Sequence, residues 1–162
     1  MKIKLSQGLF ATVSPRDYPH LQQFNWFAWR PSSSPHLCYA VRKVRLSSGR
    51  YSKRLMHREI IGALRGEEVD HRDGNGLNNL RGNLRIATAS QNQANSRKHR
   101  DAFHSKFKGV TWHKRGRCWQ VSCQKQGDRR FLFGFQSERS AARAYNRLAR
   151  SLHGRFSRGN KI

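Results

Sequence analysis

The densest chemistry in the chain lies between residues 69 and 95. It starts with Val69-Asp70-His71, an apolar residue followed by an acid and an imidazole, and continues through Arg72-Asp73-Gly74-Asn75-Gly76-Leu77-Asn78-Asn79. Histidine is the side chain whose charge changes near neutral pH, so an imidazole beside a carboxylate suits proton transfer or cation binding. Asp73-Gly74 and Asn75-Gly76 are strong turn signals. The chain then returns through Asn83-Leu84-Arg85-Ile86-Ala87 as an antiparallel strand. Ser90 is placed to cap a helix carrying Gln91-Asn92-Gln93-Ala94-Asn95. Taken singly, Asp-His is an ordinary pair and asparagines are loop formers; as an ordered strand, loop, strand and helix they point to a site.

This stretch resembles the HNH nuclease family, in the form common among phage and intron-encoded homing endonucleases. The shared pattern is a hydrophobic residue, Asp-His, a Gly/Asn-rich loop, Asn-Leu-Arg and a later Gln-Asn, and it covers all of 69–95. Met56-His57-Arg58-Glu59 also resembles the residues leading into the motif. The resemblance implies a ββα-metal nuclease in which His71 is the general base and Asn83 holds its ring by a hydrogen bond. It further implies that Asp70 and Asn92 bind Mg²⁺, with Mn²⁺ as substitute. Two oxygen ligands leave most of an octahedral shell to water and phosphate, as Mg²⁺ prefers. Asn92 stands where the family's final His is usual, and Asn95 is the alternative ligand.

The elements that must carry this site read as follows. Short apolar patches (Ile3, Leu5, Leu9, Phe10, Val13) and the rings Phe24, Trp26, Phe27 and Trp29 form a small core, and Pro31 to Pro35 break the chain. Residues 37–46 and 51–55 predict a hairpin, with Ser47-Ser48-Gly49-Arg50 as its turn. Ile60, Ile61 and Leu64 at helical spacing predict a helix from His57, whose ring is expected to pack locally. Polar, basic residues 96–106 read as a linker.

Beyond the linker, runs at 107–113, 117–124 and 130–135 read as three strands and 138–153 as a helix, with Ser137 as N-cap and Gly154 as stop. Ala141, Tyr145, Leu148 and Leu152 form an apolar stripe, and Arg139, Arg143, Arg147 and Arg150 a basic one without acidic partners. Phe107-Lys108-Gly109-Val110, Cys118-Trp119-Gln120-Val121, Ala141-Ala142-Arg143-Ala144-Tyr145 and Phe156…Asn160 resemble the DNA-binding domain of plant ethylene-response factors. That likeness covers 105–160 and implies a sheet laid in the major groove and braced by a helix. Lys108, Thr111, Ser122, Gln124 and Arg130 would face DNA, with Arg143 and Arg147 on its backbone. Thr111, Ser122 and Gln124 depart from the plant pattern, and so does Leu132-Phe133-Gly134-Phe135, so the plant recognition sequence is not inherited.

Lys and Arg number 33 against 9 Asp and Glu, a formal net charge of +24. Such an excess repels itself and calls for a polyanionic partner, double-stranded DNA first. No amphipathic Lys-rich helix suggests a membrane surface, and no apolar run approaches the length of a bilayer span. Cys38, Cys118 and Cys123 form no CxxC, which argues against a disulfide framework or structural zinc.

The expectation is an α+β protein: an N-terminal ββα-metal (HNH) nuclease domain over 1–100, then a three-stranded antiparallel sheet plus helix over 105–162. It would act as a monomer in the cytoplasm of a bacterial host, nicking or cutting duplex DNA without an obligatory protein partner. The competing expectation is a non-enzymatic DNA-binding regulator on a degenerate HNH scaffold. An RNA-binding protein is a third, for which no recognition signature appears.

Overall fold

The computed structural model describes residues 1–98 and 105–162. The expected linker falls largely on residues 99–104, outside the described residues. The chain divides into two compact units, Met1–Ala87 and Thr88–Ile162. The first contains β1 (Lys2–Lys4), β2 (Phe10–Val13), α1 (Tyr18–Leu21), β3 (Phe27–Trp29), β4 (Tyr39–Arg45), β5 (Tyr51–Leu55), α2 (Met56–Ile61), β6 (Glu68–His71), β7 (Asn78–Asn79) and β8 (Leu84–Ala87). The second contains α3 (Ala89–Asn95), β9 (Val110–His113), β10 (Cys118–Lys125), β11 (Asp128–Phe135) and α4 (Glu138–His153). The architecture is α+β, as expected, but the division falls ahead of α3 rather than at residue 100.

Three small sheets build the first unit: β1-β2-β7, β3-β4-β5 and β6-β8. The expected hairpin is present, with Val41 opposite Leu55 and Arg45 opposite Tyr51. Its core joins Ile3, Leu5, Ala11 and Val13 to Leu21, Trp26, Met56 and Leu84. Full burial of a side chain such as Leu21 or Met56 contributes about 1.5–3 kcal/mol. Of the four expected core rings only Trp26 is buried, its indole N–H donating to the Leu21 carbonyl at 2.7 Å. Phe24 instead lies under the Arg42 guanidinium, 3.9 Å from its centroid. The α2 helix ends at Gly62 in the left-handed conformation (φ 68°), where glycine carries no Cβ penalty.

The second unit pairs β9, β10 and β11 antiparallel, with α4 covering one face. Val110, Val121 and Cys123 meet Ala141, Ala142, Ala144, Tyr145 and Ala149, so the apolar helix face is built largely of alanine and lets the helix approach closely. Ser137 caps α4 by accepting from the Ser140 amide, as expected. Gly109 is required by proximity: a Cβ there would overlap the Tyr145 ring. Among the described residues no helix is long and apolar enough to cross a membrane.

Candidate active site

Asp70 and His71 end β6, and antiparallel pairing places Asp70 opposite Arg85 and His71 opposite Leu84. Alternation along a strand sends the acid and the imidazole to opposite faces. Arg85 donates to Asp70 Oδ2 from Nε at 2.8 Å, and its terminal nitrogen lies at 2.6 Å. Both side chains are buried, Asp70 at 4% exposure and Arg85 at 8%. Each charge has left water and relies on the other, so Arg85→Leu should destabilise the fold by about 3–5 kcal/mol. A urea midpoint that barely moves would show that the pair is not a structural tie.

His71 is 5% exposed, and its Nε2 lies 3.3 Å from Asn79 Oδ1 in a buried hydrogen bond. Burial lowers its pKa below the ordinary histidine value, against the opposing pull of Asn79, Asp73 and Asp70. The ring is therefore neutral, and able to accept a proton, at neutral pH. Asn79 is wholly buried because β7 pairs in parallel with β2, Val13 opposite Asn79. That pairing was invisible in the local sequence, where Asn78-Asn79 read as loop.

His57 forms the other wall. Its ring stands edge-on to His71 at 4.9 Å and to Tyr39 at 5.4 Å, and its Nδ1 is buried without a hydrogen-bond partner. Burial first, then the neighbouring His71 and Arg58, pushes its pKa down to about 3. The unfolded chain takes up this proton near the ordinary histidine value, whereas the folded chain resists until about pH 3. Stability carried by neutral His57 is thus complete at neutral pH and lost as pH falls through that window. The loss is about 1.4 kcal/mol per pH unit for one proton, and His71 adds in the same direction. Denaturant melts between pH 7 and 5 should show this slope, and His57→Leu should flatten it; an unchanged slope would contradict the buried neutral ring.

The Gly/Asn loop is held by Asp73 and Asn83. Asn83 Nδ2 donates to Asp73 Oδ1 at 2.9 Å and to the Asn78 carbonyl at 2.8 Å, while its Oδ1 accepts from the Asp73 amide at 3.1 Å. Burial alone would raise the Asp73 carboxyl, yet hydrogen bonds from Asn75, Asn78 and Asn83 hold it below its usual value. The expectation that Asn83 bonds the His71 ring is corrected: its side chain staples the loop, and Asn79 holds the ring. The reason lies in the turn geometry, since Asn83 precedes β8 and its backbone carbonyl already receives the Arg72 amide at 2.9 Å. Gly76 fits because a Cβ there would overlap the Cys38 carbonyl and the Tyr39 ring.

Asn92 and Asn95 lie on α3, in the second unit, Asn92 partly exposed and Asn95 buried. The N-cap is Thr88 rather than Ser90: Thr88 Oγ1 accepts from the Gln91 amide and Gln91 Oε1 from the Thr88 amide, a capping box. Lys108 closes the other end. Its ammonium donates to the carbonyls of Gln93 at 3.2 Å, Ala94 at 2.7 Å and Ser96 at 2.8 Å, and burial lowers its pKa to about 8. The expectation that Lys108 faces DNA is corrected by this: its ammonium is engaged by carbonyls at the end of α3.

Register also sorts the other expected DNA contacts. Thr111 pairs with Gln120, Ser122 with Phe131 and Gln124 with Arg129, all on the sheet face away from α4. Arg130 pairs with Cys123 and therefore leaves the strand on the helix side, 3.4 Å from Asp128. Arg129 holds the outward position expected for Arg130. Arg143 and Arg147 are exposed on α4, opposite its sheet-packed alanines. A sheet and a helix separate them from Thr111 and Ser122 by roughly 20 Å, so one duplex on the outer face does not reach both. Trp112 stacks edge-on against Trp119 at 5.2 Å, on the helix side of the sheet.

Comparison with known proteins finds the same family. Residues 54–94 match the model of a family described as HNH endonuclease. An uncharacterized HNH endonuclease of Acanthamoeba polyphaga mimivirus is 32% identical over 158 residues, 96% of this chain and 77% of the relative. A protein of Escherichia phage T7 named Protein 3.8 is 32% identical over 94 residues, 58% of this chain and 76% of its own. No solved structure matches.

Proposed function

The chain belongs to the HNH endonuclease family, and from that premise we propose a metal-dependent DNA endonuclease of homing type whose second unit binds DNA. The observation that carries the reading is His71, a buried imidazole held by Asn79 at Nε2 and kept neutral at neutral pH by burial. The neutral ring takes a proton from the attacking water, and the hydroxide formed attacks phosphorus. Asn79 holds the ring against rotation, and His57 and Tyr39 pack its faces and edges.

The donors available are an acid and amides, with no cluster of three His, Cys, Asp or Glu among the described residues. That chemistry fits a hard ion such as Mg²⁺ or Mn²⁺, most of whose ligands are water and phosphate, and does not fit a zinc cage. Asp70 and Asn92 would hold it. When bound, the ion supplies charge to polarise the phosphate and to stabilise the departing oxygen. In a cleavage assay Asn92→Ala should lose far more activity than Asn95→Ala, with partial rescue at higher metal concentration; the reverse ranking would move the ligand to Asn95.

One observation favours the second reading, an inert scaffold in a DNA-binding regulator. Arg85 occupies Asp70 Oδ2, and a guanidinium competes with a cation for a carboxylate. On the enzymatic reading Mg²⁺ should quench or enhance the signal of a label placed near residue 70 at millimolar concentration. An inert scaffold should leave that signal flat.

A further inference from the structure

The outer face of the second unit's sheet carries two exposed rings beside Thr111, Ser122, Gln124 and Arg129. Phe131 and Phe133 are 47% and 56% exposed and lie nearly parallel, 6.0 Å between centroids and 19° between planes. His113 of β9 stands edge-on to Phe133 at 5.5 Å. The local backbone produces this. Alternation along β11 puts Phe131 and Phe133 on one side; beyond them the β10–β11 register shifts between Trp119 and Val121, with Gly134 at φ 84°, and Phe135 pairs with Trp119.

Beside the rings runs a cavity of about 480 Å³. It rounds the end of the sheet: its walls include Thr111, Ser122, Gln124 and Arg129 on the outer side, Arg97 after α3, and Tyr145 and His153 of α4. Ser122 is the cross-strand neighbour of Phe131, so the aromatic pair and the basic cavity are contiguous. Residues 88–162 hold 18 Lys and Arg against 3 Asp and Glu, and no acid lies on the outer face of the sheet among the described residues. The complementary partner is therefore a polyanion.

Duplex DNA offers base edges in its grooves and keeps base faces stacked. A phenyl ring has no donor or acceptor to read an edge, but it gains from covering an unstacked base face. Two near-parallel rings beside a basic channel suit successive bases of one splayed strand. We propose that this face binds unpaired bases of single-stranded or locally opened DNA, with Phe131 and Phe133 stacking on bases and Arg129 and Arg97 following the phosphates. The proposal rests on the reading of the second unit as DNA-binding and specifies the form of DNA it takes.

The test is fluorescence anisotropy of the full chain in EDTA, with three labelled probes: a mixed-sequence single strand, its duplex, and the same duplex with a central unpaired bubble. Wild type should bind the single strand and the bubble more tightly than the duplex. Phe131→Ala and Phe133→Ala should each remove about tenfold or more of affinity for the opened probes and little for the duplex. Phe131→Trp should retain it. The salt dependence should be unchanged in the Phe variants and shallower in Arg129→Gln. Tighter binding to the duplex, or Phe variants that hold the bubble as wild type does, would overturn the stacking role while leaving DNA binding intact. No binding to any probe at low salt would overturn the DNA-binding reading itself. Sedimentation showing a wild-type dimer that the Phe variants dissociate would assign the face to a second copy of the chain instead.

Discussion

A chain cut after residue 100 is expected to lose DNA cleavage almost entirely, even at saturating DNA, although it keeps Asp70, His71, Asn83 and Asn92. The cut removes the contacts that the rest of the second unit makes to the end of α3. Lys108 satisfies three of its terminal carbonyls, and Arg158 donates its amide to the Ala94 carbonyl at 3.3 Å and a guanidinium nitrogen to that of Asn95 at 3.5 Å. What remains is a seven-residue helix with the Thr88 capping box at one end and the Ser96 bonds to the Gln93 carbonyl at the other. An isolated helix that short is marginal in water, so the segment carrying Asn92 and Asn95 would fray. Measuring the rate at saturating substrate separates this from the weaker DNA binding that the cut also causes. A fragment of residues 1–100 that cleaves slowly but at a sizeable fraction of the full rate would mean that the two units are independent modules. Lys108→Met in the full chain should give the same defect in milder form.

The second large effect is at the base. His71→Ala should reduce cleavage by about 10²–10⁴-fold while leaving affinity for DNA nearly unchanged, because the ring is buried and anchors no phosphate. The pH profile carries the same claim. Burial keeps the ring neutral below the ordinary histidine value, so the acidic fall in rate should begin below about pH 6.5. A fall beginning well above that value would mean that another group sets the limb. Asp70→Ala is a less clean test: it strips Arg85 of its buried partner, and activity lost through unfolding has to be separated by a melt.

Much of this was legible in the sequence because it is local. Asp70-His71, the Gly/Asn turn and the return strand lie within one hairpin, and the order of residues fixes the register that places Asp70 opposite Arg85. The strand, strand, strand and helix of the second unit also follow from periodicity and turn residues. The parts that were missed depend on distant pairing. Asn79 is a ligand of His71 only because β7 joins β2, and His57 only because α2 packs its first turn beside β4 and β6. Lys108 read as a surface cation, since nothing nearby announces three helix carbonyls fourteen residues upstream. Arg129 and Arg130 were exchanged because alternation decides which of two neighbours faces out, and the register across the Gly127 turn is not written in composition.

The central claim, that the site around His71 hydrolyses DNA, is tested most directly by incubating supercoiled plasmid with the purified full chain and Mg²⁺. The account predicts conversion to nicked or linear DNA that needs the metal, is absent in EDTA and is lost in His71→Ala. Plasmid that is bound but remains supercoiled under both Mg²⁺ and Mn²⁺ would contradict it and leave the chain a DNA-binding protein on an inert scaffold.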